Sequence, residues 1–163
     1  MASHAPLDPE FLSEIAAGLA RSGLQRTPLT GAGDRRYARL LDAGAYDVWL
    51  IEWDPVSDLD LHDHGGSSGA FQVIMGLLVE EHADLSRPAP LRQVHVCAGG
   101  SRSIPPSRVH RVWNPGPTRA LSIHVYSPPL SSMTFYSGEP DGYLQPVTTR
   151  PVLGAAPEPA GVR

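Results

Sequence analysis

The sequence contains no lysine; all thirteen of its basic residues are arginine. That absence excludes a Schiff-base lysine, a Ser–Lys pair and the lysine of a phosphate-binding loop. There is a single cysteine, Cys97, which excludes an intramolecular disulfide and a multi-thiolate zinc site within one chain. No segment approaches the ~20 consecutive apolar residues of a membrane span. The start, MASHAPLDPEFLSEIAAG, lacks the basic n-region and continuous apolar run of a signal peptide, so a cytoplasmic protein is expected. The net charge of -4 leaves no basic footprint for nucleic acid or an anionic membrane. At 163 residues the chain is long enough for one domain with its own core. No internal repeat or linker divides residues 1–163, and a monomer is expected.

What is present falls into two unequal parts. Residues 8–23 read as one helix, with Asp8 as cap, Pro9 at the first helical position and Gly23 as stop. Phe11, Ile15 and Leu19 recur every four residues and form its apolar stripe. From about Arg36 the helical period is gone. Strands are expected over 36–42, 46–53, 70–80, 92–97, 108–113, 119–126 and 132–137. They are separated by turn signals such as DPVSD, AGGSRSIPP and NPGP. Many short strands at regular spacing imply a mainly β fold, an antiparallel sandwich or barrel spanning about 36–137. From about 147 the chain is Pro- and Ala-rich and reads as a flexible tail.

Seven histidines are present. His62 and His64 flank Asp63, and in a strand residues i and i+2 share a face. Both imidazoles can then reach one metal, and imidazole suits zinc, copper, iron or nickel rather than magnesium or calcium. The bland alternative is a pair of half-exposed histidines on a strand edge. Downstream, GGSRSIPPSRVHRVWN carries Gly99, Pro105, His110 and Asn114 at intervals of six, five and four.

Here the sequence resembles the cupin superfamily of small β-barrels. The second cupin motif fits at those four positions, with Ser107 where the motif has glycine. In the first motif His62 and His64 match and Gly76 supplies the closing glycine. The glutamate position is Gly69, so the usual carboxylate ligand is missing. The resemblance therefore implies a three-histidine site of His62, His64 and His110. A neutral set of this kind keeps the full charge of the metal and favours an anionic ligand such as a thiolate.

Ser122, His124 and Tyr126, in SIHVYSPP, share one strand face. No nucleophile elbow or partnering carboxylate makes them a hydrolytic triad. A hydrogen-bonded relay is the more sensible use, against the bland reading of a polar strand facing solvent. With HDH, the glycine at 69 and the third histidine, SxHxYSPP resembles the cysteine dioxygenase family of thiol dioxygenases, over about Tyr37–Pro129.

That resemblance implies iron(II) on His62, His64 and His110. It also implies O2 and a small thiol such as L-cysteine as reactants, and a cysteine sulfinic acid product. Ser122, His124 and Tyr126 would form the relay, and Tyr37 and Arg39 of YAR would hold the substrate carboxylate. Animal members carry at the position of Gly69 a cysteine crosslinked to the relay tyrosine; glycine there is common in bacterial members and leaves the Tyr126 phenol free. Arginine at 39 resembles the cysteine-oxidising type, and glutamine the mercaptopropionate type. Another small thiol such as 3-mercaptopropionate, a diketone-cleaving cupin oxygenase and a non-catalytic metal-binding sensor are the competing readings. His4, His82 and His95 lack partners at ligand spacing. Trp53 reads as pocket wall or core, Asp63 as facing away from the metal, and Asn114 as fixing a turn.

Overall fold

The computed structural model describes residues 5–30, 33–138 and 143–152. One helix, α1 (Pro9–Ala20), precedes eleven strands: β1 (Arg35–Asp42), β2 (Asp47–Trp53), β3 (Asp58–His62), β4 (Ser68–Met75), β5 (Leu77–Asp84), β6 (Arg87–Cys97), β7 (Ser101–Ile104), β8 (Arg108–Trp113), β9 (Ala120–Ser127), β10 (Ser132–Gly138) and β11 (Leu144–Pro151). All pairings are antiparallel, in two sheets of order β1-β2-β9-β4-β7 and β11-β10-β3-β8-β5-β6. The sheets pack face to face as a jelly roll rather than closing into one continuous ladder. Their shared core holds Trp53, Phe71, Leu78, Val96, Ile104 and Val112 from both sides. No helix among the described residues is long and apolar enough to cross a membrane.

Asp8 caps α1 as expected, accepting from the Glu10 N–H at 2.8 Å, and Pro9 occupies the first turn. The helix stops at Ala20, earlier than expected. Gly23, at φ +84°, opens a separate 3₁₀ turn over Leu24–Arg26. The buried stripe also differs, because Leu12 and Ala16 are inaccessible while Phe11 is 50% exposed. The small Ala16 side chain lets the helix lie close on the outer face of the first sheet, against Val48, Leu50, Ala70, Ile123 and Val125. Burying Leu12 there contributes about 2 kcal/mol.

That docking decides the character of β9, every residue of which is buried. Leu121, Ile123 and Val125 point out to α1, so Ser122, His124 and Tyr126 point inward. The solvent-facing reading of SxHxY is thereby excluded.

Three elements depart from expectation. The run 70–80 is two strands, broken at Gly76 (φ +81°), where the chain passes from one sheet to the other. A Cβ at Gly76 would lie 2.9 Å from the Arg119 carbonyl oxygen, so only glycine turns this corner. β3, of five residues, begins at the last residue of the DPVSD turn signal, in a stretch given no strand bounds, and β7, of four residues, lies within AGGSRSIPP, which reads as a turn. The chain beyond 147 is not all tail, since β11 pairs with β10 from Ser132↔Pro151 to Gly138↔Leu144. Val152 then packs on Leu130, Met133 and Phe135. The rest of that tail, from 153, lies outside the described residues.

Candidate active site

β3 and β8 run side by side with His62 directly opposite His110. His64 is not on a strand, because β3 ends at His62. It is brought round by a turn that Asp63 fixes. The Asp63 carboxylate accepts from the Gly65 and Thr134 N–H groups, each at 3.0 Å, and from the Tyr136 hydroxyl at 2.8 Å. Gly65, at φ +60°, follows because a Cβ there would come 2.9 Å from the Ser132 carbonyl oxygen. Asp63 thus faces away from the cluster, as its position between the two histidines implies.

The three imidazoles form a nearly equilateral triangle, with ring centroids 5.1, 4.8 and 4.9 Å apart. One ligand nitrogen from each lies within 4.8 Å of the others, and all three side chains are buried. Two of the rings are already oriented. His62 Nδ1–H donates to the Asp60 carbonyl at 2.7 Å and His110 Nδ1–H to Glu80 Oε1 at 2.8 Å, which leaves both Nε2 atoms facing the triangle. On His64, neither Nδ1 nor Nε2 has a partner among the described residues. A buried imidazole with no partner is costly, and a metal in the triangle would satisfy one of its two nitrogens. Burial, then the neighbouring His110, push His62 and His64 well below the usual imidazole range. Both are therefore neutral, ligand-ready bases.

Glu80 was not singled out from the sequence. It is wholly buried and is gripped between His110 and Arg102, whose Nε donates at 2.7 Å. Burial acts to raise its carboxyl, but His110 and Arg102 outweigh it and hold it at about 2. The triad therefore contains no carboxylate, yet a carboxylate charge stands directly behind one of its rings. The available signal was period two: counting from the core residue Leu78 places Glu80 on the inner face of β5.

Beside the triangle runs the relay. Ser122 Oγ lies 2.9 Å from His124 Nε2, and His124 Nδ1 lies 3.1 Å from the Tyr126 hydroxyl. Trp53 extends it, its Nε1–H donating to Ser122 Oγ at 2.9 Å. Indole nitrogen can only donate, and that fixes a direction. If His124 Nε2 also donated to Ser122, the Ser122 hydroxyl proton would be buried with no acceptor. Ser122 therefore donates to His124 Nε2, and His124 Nδ1–H donates to the Tyr126 oxygen. The Tyr126 O–H remains free to donate into the cavity. Burial pushes His124 down to about 3 and the Tyr126 phenol above its ordinary value, so both stay neutral. The Tyr126 ring centroid is 4.8 Å from that of His64. Gly69 pairs with Tyr126 across β4 and β9, and a Cβ at 69 would sit 3.0 Å from the tyrosine ring. Cys97 is exposed at the end of β6, in the other sheet.

One cavity collects these groups. Its wall includes His62, His110, His124 and Tyr126, closed by apolar side chains such as Trp49 and Met133. Of the two residues expected to hold a carboxylate, Tyr37 is in this wall. Arg39 shares its β1 face, but its Nη2 is 2.9 Å from Asp42 and 3.2 Å from the buried Asp47. The arginine in the wall is Arg35, two residues upstream of Tyr37. Asn114 does fix a turn, bonding the Trp53, Asp54 and Thr118 carbonyls and the Gly116 N–H. His82 lies 3.3 Å from Arg102, His95 is exposed, and His4 is outside the described residues.

Comparison with known proteins agrees with this geometry. Among solved structures, the cupin domain of Schizosaccharomyces pombe Cnp3 matches with a TM-score of 0.53 and 11% identity, covering 64% of this chain and 71% of that one. The Thermus thermophilus protein TT1209 matches with a TM-score of 0.56 and 18% identity, covering 65% of this chain and 94% of that one. The formate complex of Lactobacillus farciminis oxalate decarboxylase matches at 0.57 and 18%, covering 66% of this chain and 33% of that enzyme. These likenesses establish the cupin fold. The family description "Cysteine dioxygenase type I" matches residues 32–139, which include all three triangle histidines and the whole relay. Matched over that length, the chain belongs to the cysteine dioxygenase type I family.

Proposed function

We propose that this protein is an iron(II)-dependent dioxygenase that oxidises the sulfur of L-cysteine to cysteine sulfinic acid. The observation that carries the reading is the buried triangle of His62, His64 and His110, free of carboxylate ligands and next to a relay ending in Tyr126. Iron(II) held by the three imidazoles would supply positions for a thiolate and for O2, and the redox chemistry that joins them. The three histidines, being neutral, leave the ion's charge to be met by the thiolate. Two of them are turned by Asp60 and Glu80 so that Nε2 faces the site. Tyr126, held by His124 and Ser122, offers its O–H to the sulfur or oxygen brought beside it. Its raised pKa keeps that proton on the phenol. Trp49 and Met133 keep bulk water from the reacting sulfur. The stoichiometry is RSH + O2 → RSO2H, so both oxygen atoms end on sulfur and no external reductant is consumed.

One observation bears on a second substrate, 3-mercaptopropionate. Arg39, whose resemblance pointed to cysteine, has its guanidinium committed to Asp42 and Asp47. The test is oxygen uptake by the iron(II)-loaded protein with L-cysteine and 3-mercaptopropionate side by side, the sulfinate being quantified. One sulfinate per O2 with cysteine is the expected result. Preference for 3-mercaptopropionate would retain thiol oxidation and replace the substrate. No uptake with either, in protein that holds iron, would refute thiol oxidation in favour of a metal-binding sensor.

A further inference from the structure

Two corners of the triangle are oriented by bonds to their own rings, His62 by the Asp60 carbonyl and His110 by Glu80. Among the described residues His64 has no such bond. Its ring rests against the His62, His110 and Tyr126 rings, at centroid distances of 5.1, 4.9 and 4.8 Å. Where it points is therefore set by its backbone, and that backbone has left the sheet. β3 and β10 share one ladder pair, Phe135↔His62. One residue further on, Asp63 takes over from the ladder. Its N–H donates to the Thr134 carbonyl at 2.9 Å, and its Oδ1 accepts the Thr134 N–H in return. The same Oδ1 accepts the Gly65 N–H, across the turn that contains His64. Oδ2 accepts from the Tyr136 hydroxyl at 2.8 Å. Hydrogen bonds to a carboxylate are the stronger kind. Three donors on two oxygens hold this one in a single orientation, and the neighbouring His64 inherits it.

We propose that Asp63 and Tyr136 are positioning residues for the metal site: the Tyr136 hydroxyl holds the Asp63 carboxylate, and the carboxylate holds the turn that brings His64 to His62 and His110. This rests on the reading of the triangle as a metal centre and names what completes it. His62 and His110, opposite each other on paired strands with their rings already bonded, are a preset pair. His64 is the third ligand, set from the other side of the turn. Neither Asp63 nor Tyr136 touches the metal; both act through the His64 backbone. The C-terminal hairpin is thereby part of the metal site, because the strand that carries Tyr136 is itself pinned by its pairing with β11.

The test is competition for zinc(II) against a chromophoric chelator, since imidazoles hold zinc and it undergoes no redox chemistry. Tyr136→Phe deletes only the hydroxyl and should weaken zinc by about 10-fold. Asp63→Ala removes the whole clamp and should weaken it by about 100-fold, the upper end for a partner behind a metal ligand. Thr149→Val is the control for general loosening of the hairpin. It removes a different hydroxyl bond between β10 and β11, Thr134 Oγ1 to Thr149 Oγ1 at 3.0 Å, and leaves the bonds to Asp63 in place. It should bind zinc within about twofold of wild type. A double-mutant cycle then separates positioning from loss of structure. In a His64→Ala background there is no ring left to position, so adding Tyr136→Phe should change affinity by less than about twofold, whereas in a His62→Ala background it should keep its ~10-fold effect. Should Asp63→Ala not fold, Tyr136→Phe and its cycle decide alone. Tyr136→Phe binding like wild type, an equal loss in Thr149→Val, or a loss that persists without His64 would each overturn the clamp and leave the metal centre standing. Wild type that binds no zinc would overturn both.

Discussion

Replacing Glu80 by glutamine keeps the shape of the side chain and deletes one buried charge. The carboxylate now serves two donors, His110 Nδ1 at 2.8 Å and Arg102 Nε at 2.7 Å. An amide has one acceptor oxygen, so it can serve only one of them, and its NH2 then meets the other donor. If the oxygen stays with His110, the Arg102 guanidinium loses its counter-charge. The Arg102 side chain is 27% exposed, so water recovers part of the loss. The expected destabilisation is about 2–3 kcal/mol, below the ~3–5 kcal/mol for breaking a fully buried pair. The second effect is on the metal. A carboxylate behind a ligating imidazole makes it a stronger donor, and its removal should cost ~10- to 100-fold in affinity, or about 1.4–2.7 kcal/mol. The two effects are separable. Adding Arg102→Met to Glu80→Gln removes the unpaired cation and should restore part of the stability but none of the affinity. Urea unfolding of the metal-free protein reads the first quantity, and anaerobic competition for iron(II) against a chromophoric chelator reads the second. A folded Glu80→Gln protein that binds iron(II) within twofold of wild type would refute the argument that Glu80 acts through His110.

Trp53→Phe removes the donor that sets the direction of the relay and should cost about 1–2 kcal/mol in stability. Nitrogen NMR should find the His124 proton on Nδ1 in wild type and on a mixture of both nitrogens in the variant; a wild-type proton on Nε2 would show the relay running the other way. Metal-free protein should lose stability on acidification. His124 binds a proton at about 6.5 when unfolded but only at about 3 when folded, so the unfolded state is favoured as pH falls below 6.5. At pH 5 this residue alone should cost about 2 kcal/mol, with His62 and His64 acting in the same direction. Equal urea midpoints at pH 7.5 and pH 5 would contradict it. Gly69→Ala places a Cβ 3.0 Å from the Tyr126 ring and should displace the phenol by a few tenths of an ångström. Turnover should fall while stability changes by only about 1 kcal/mol, and an unchanged kcat would show that Tyr126 is not finely placed.

The separate residue clusters were legible along the chain because each obeys a short-range rule. HDH, the spaced Gly–Pro–His–Asn series and the i, i+2, i+4 relay are local patterns, but strand spacing fixed a shared face only for the relay; a turn beyond β3 carries His64 to the triangle. The cap at Asp8 follows from a backbone rule of the same kind, whereas the corner at Gly76, inside a run expected as one strand, came to light only in the structure. What could not be read locally concerns partners distant in sequence. Glu80 meets His110 from thirty residues away, and Trp53 meets Ser122 from sixty-nine. β3, β7 and β11 were missed because four to eight residues with little apolar content become strands only when a neighbouring strand supplies the hydrogen bonds.

The arginines of β1 show the boundary most clearly. Their alternation and their charge are properties of the sequence, and by those measures Arg35 and Arg39 are equivalent. Packing separates them. Asp47, at the start of β2, neutralises Arg39, while the Trp53 ring carries Arg35 into the cavity unpaired. Sequence by itself determined that this is a small, lysine-free, strand-rich chain with three histidines and a serine–histidine–tyrosine series at suitable spacing. Tertiary structure decided which arginine lines the cavity, which carboxylate stands behind the histidine triangle and which way the serine–histidine–tyrosine chain donates. Those choices depend on what lies opposite each side chain once two sheets have closed over it, and no local spacing encodes that.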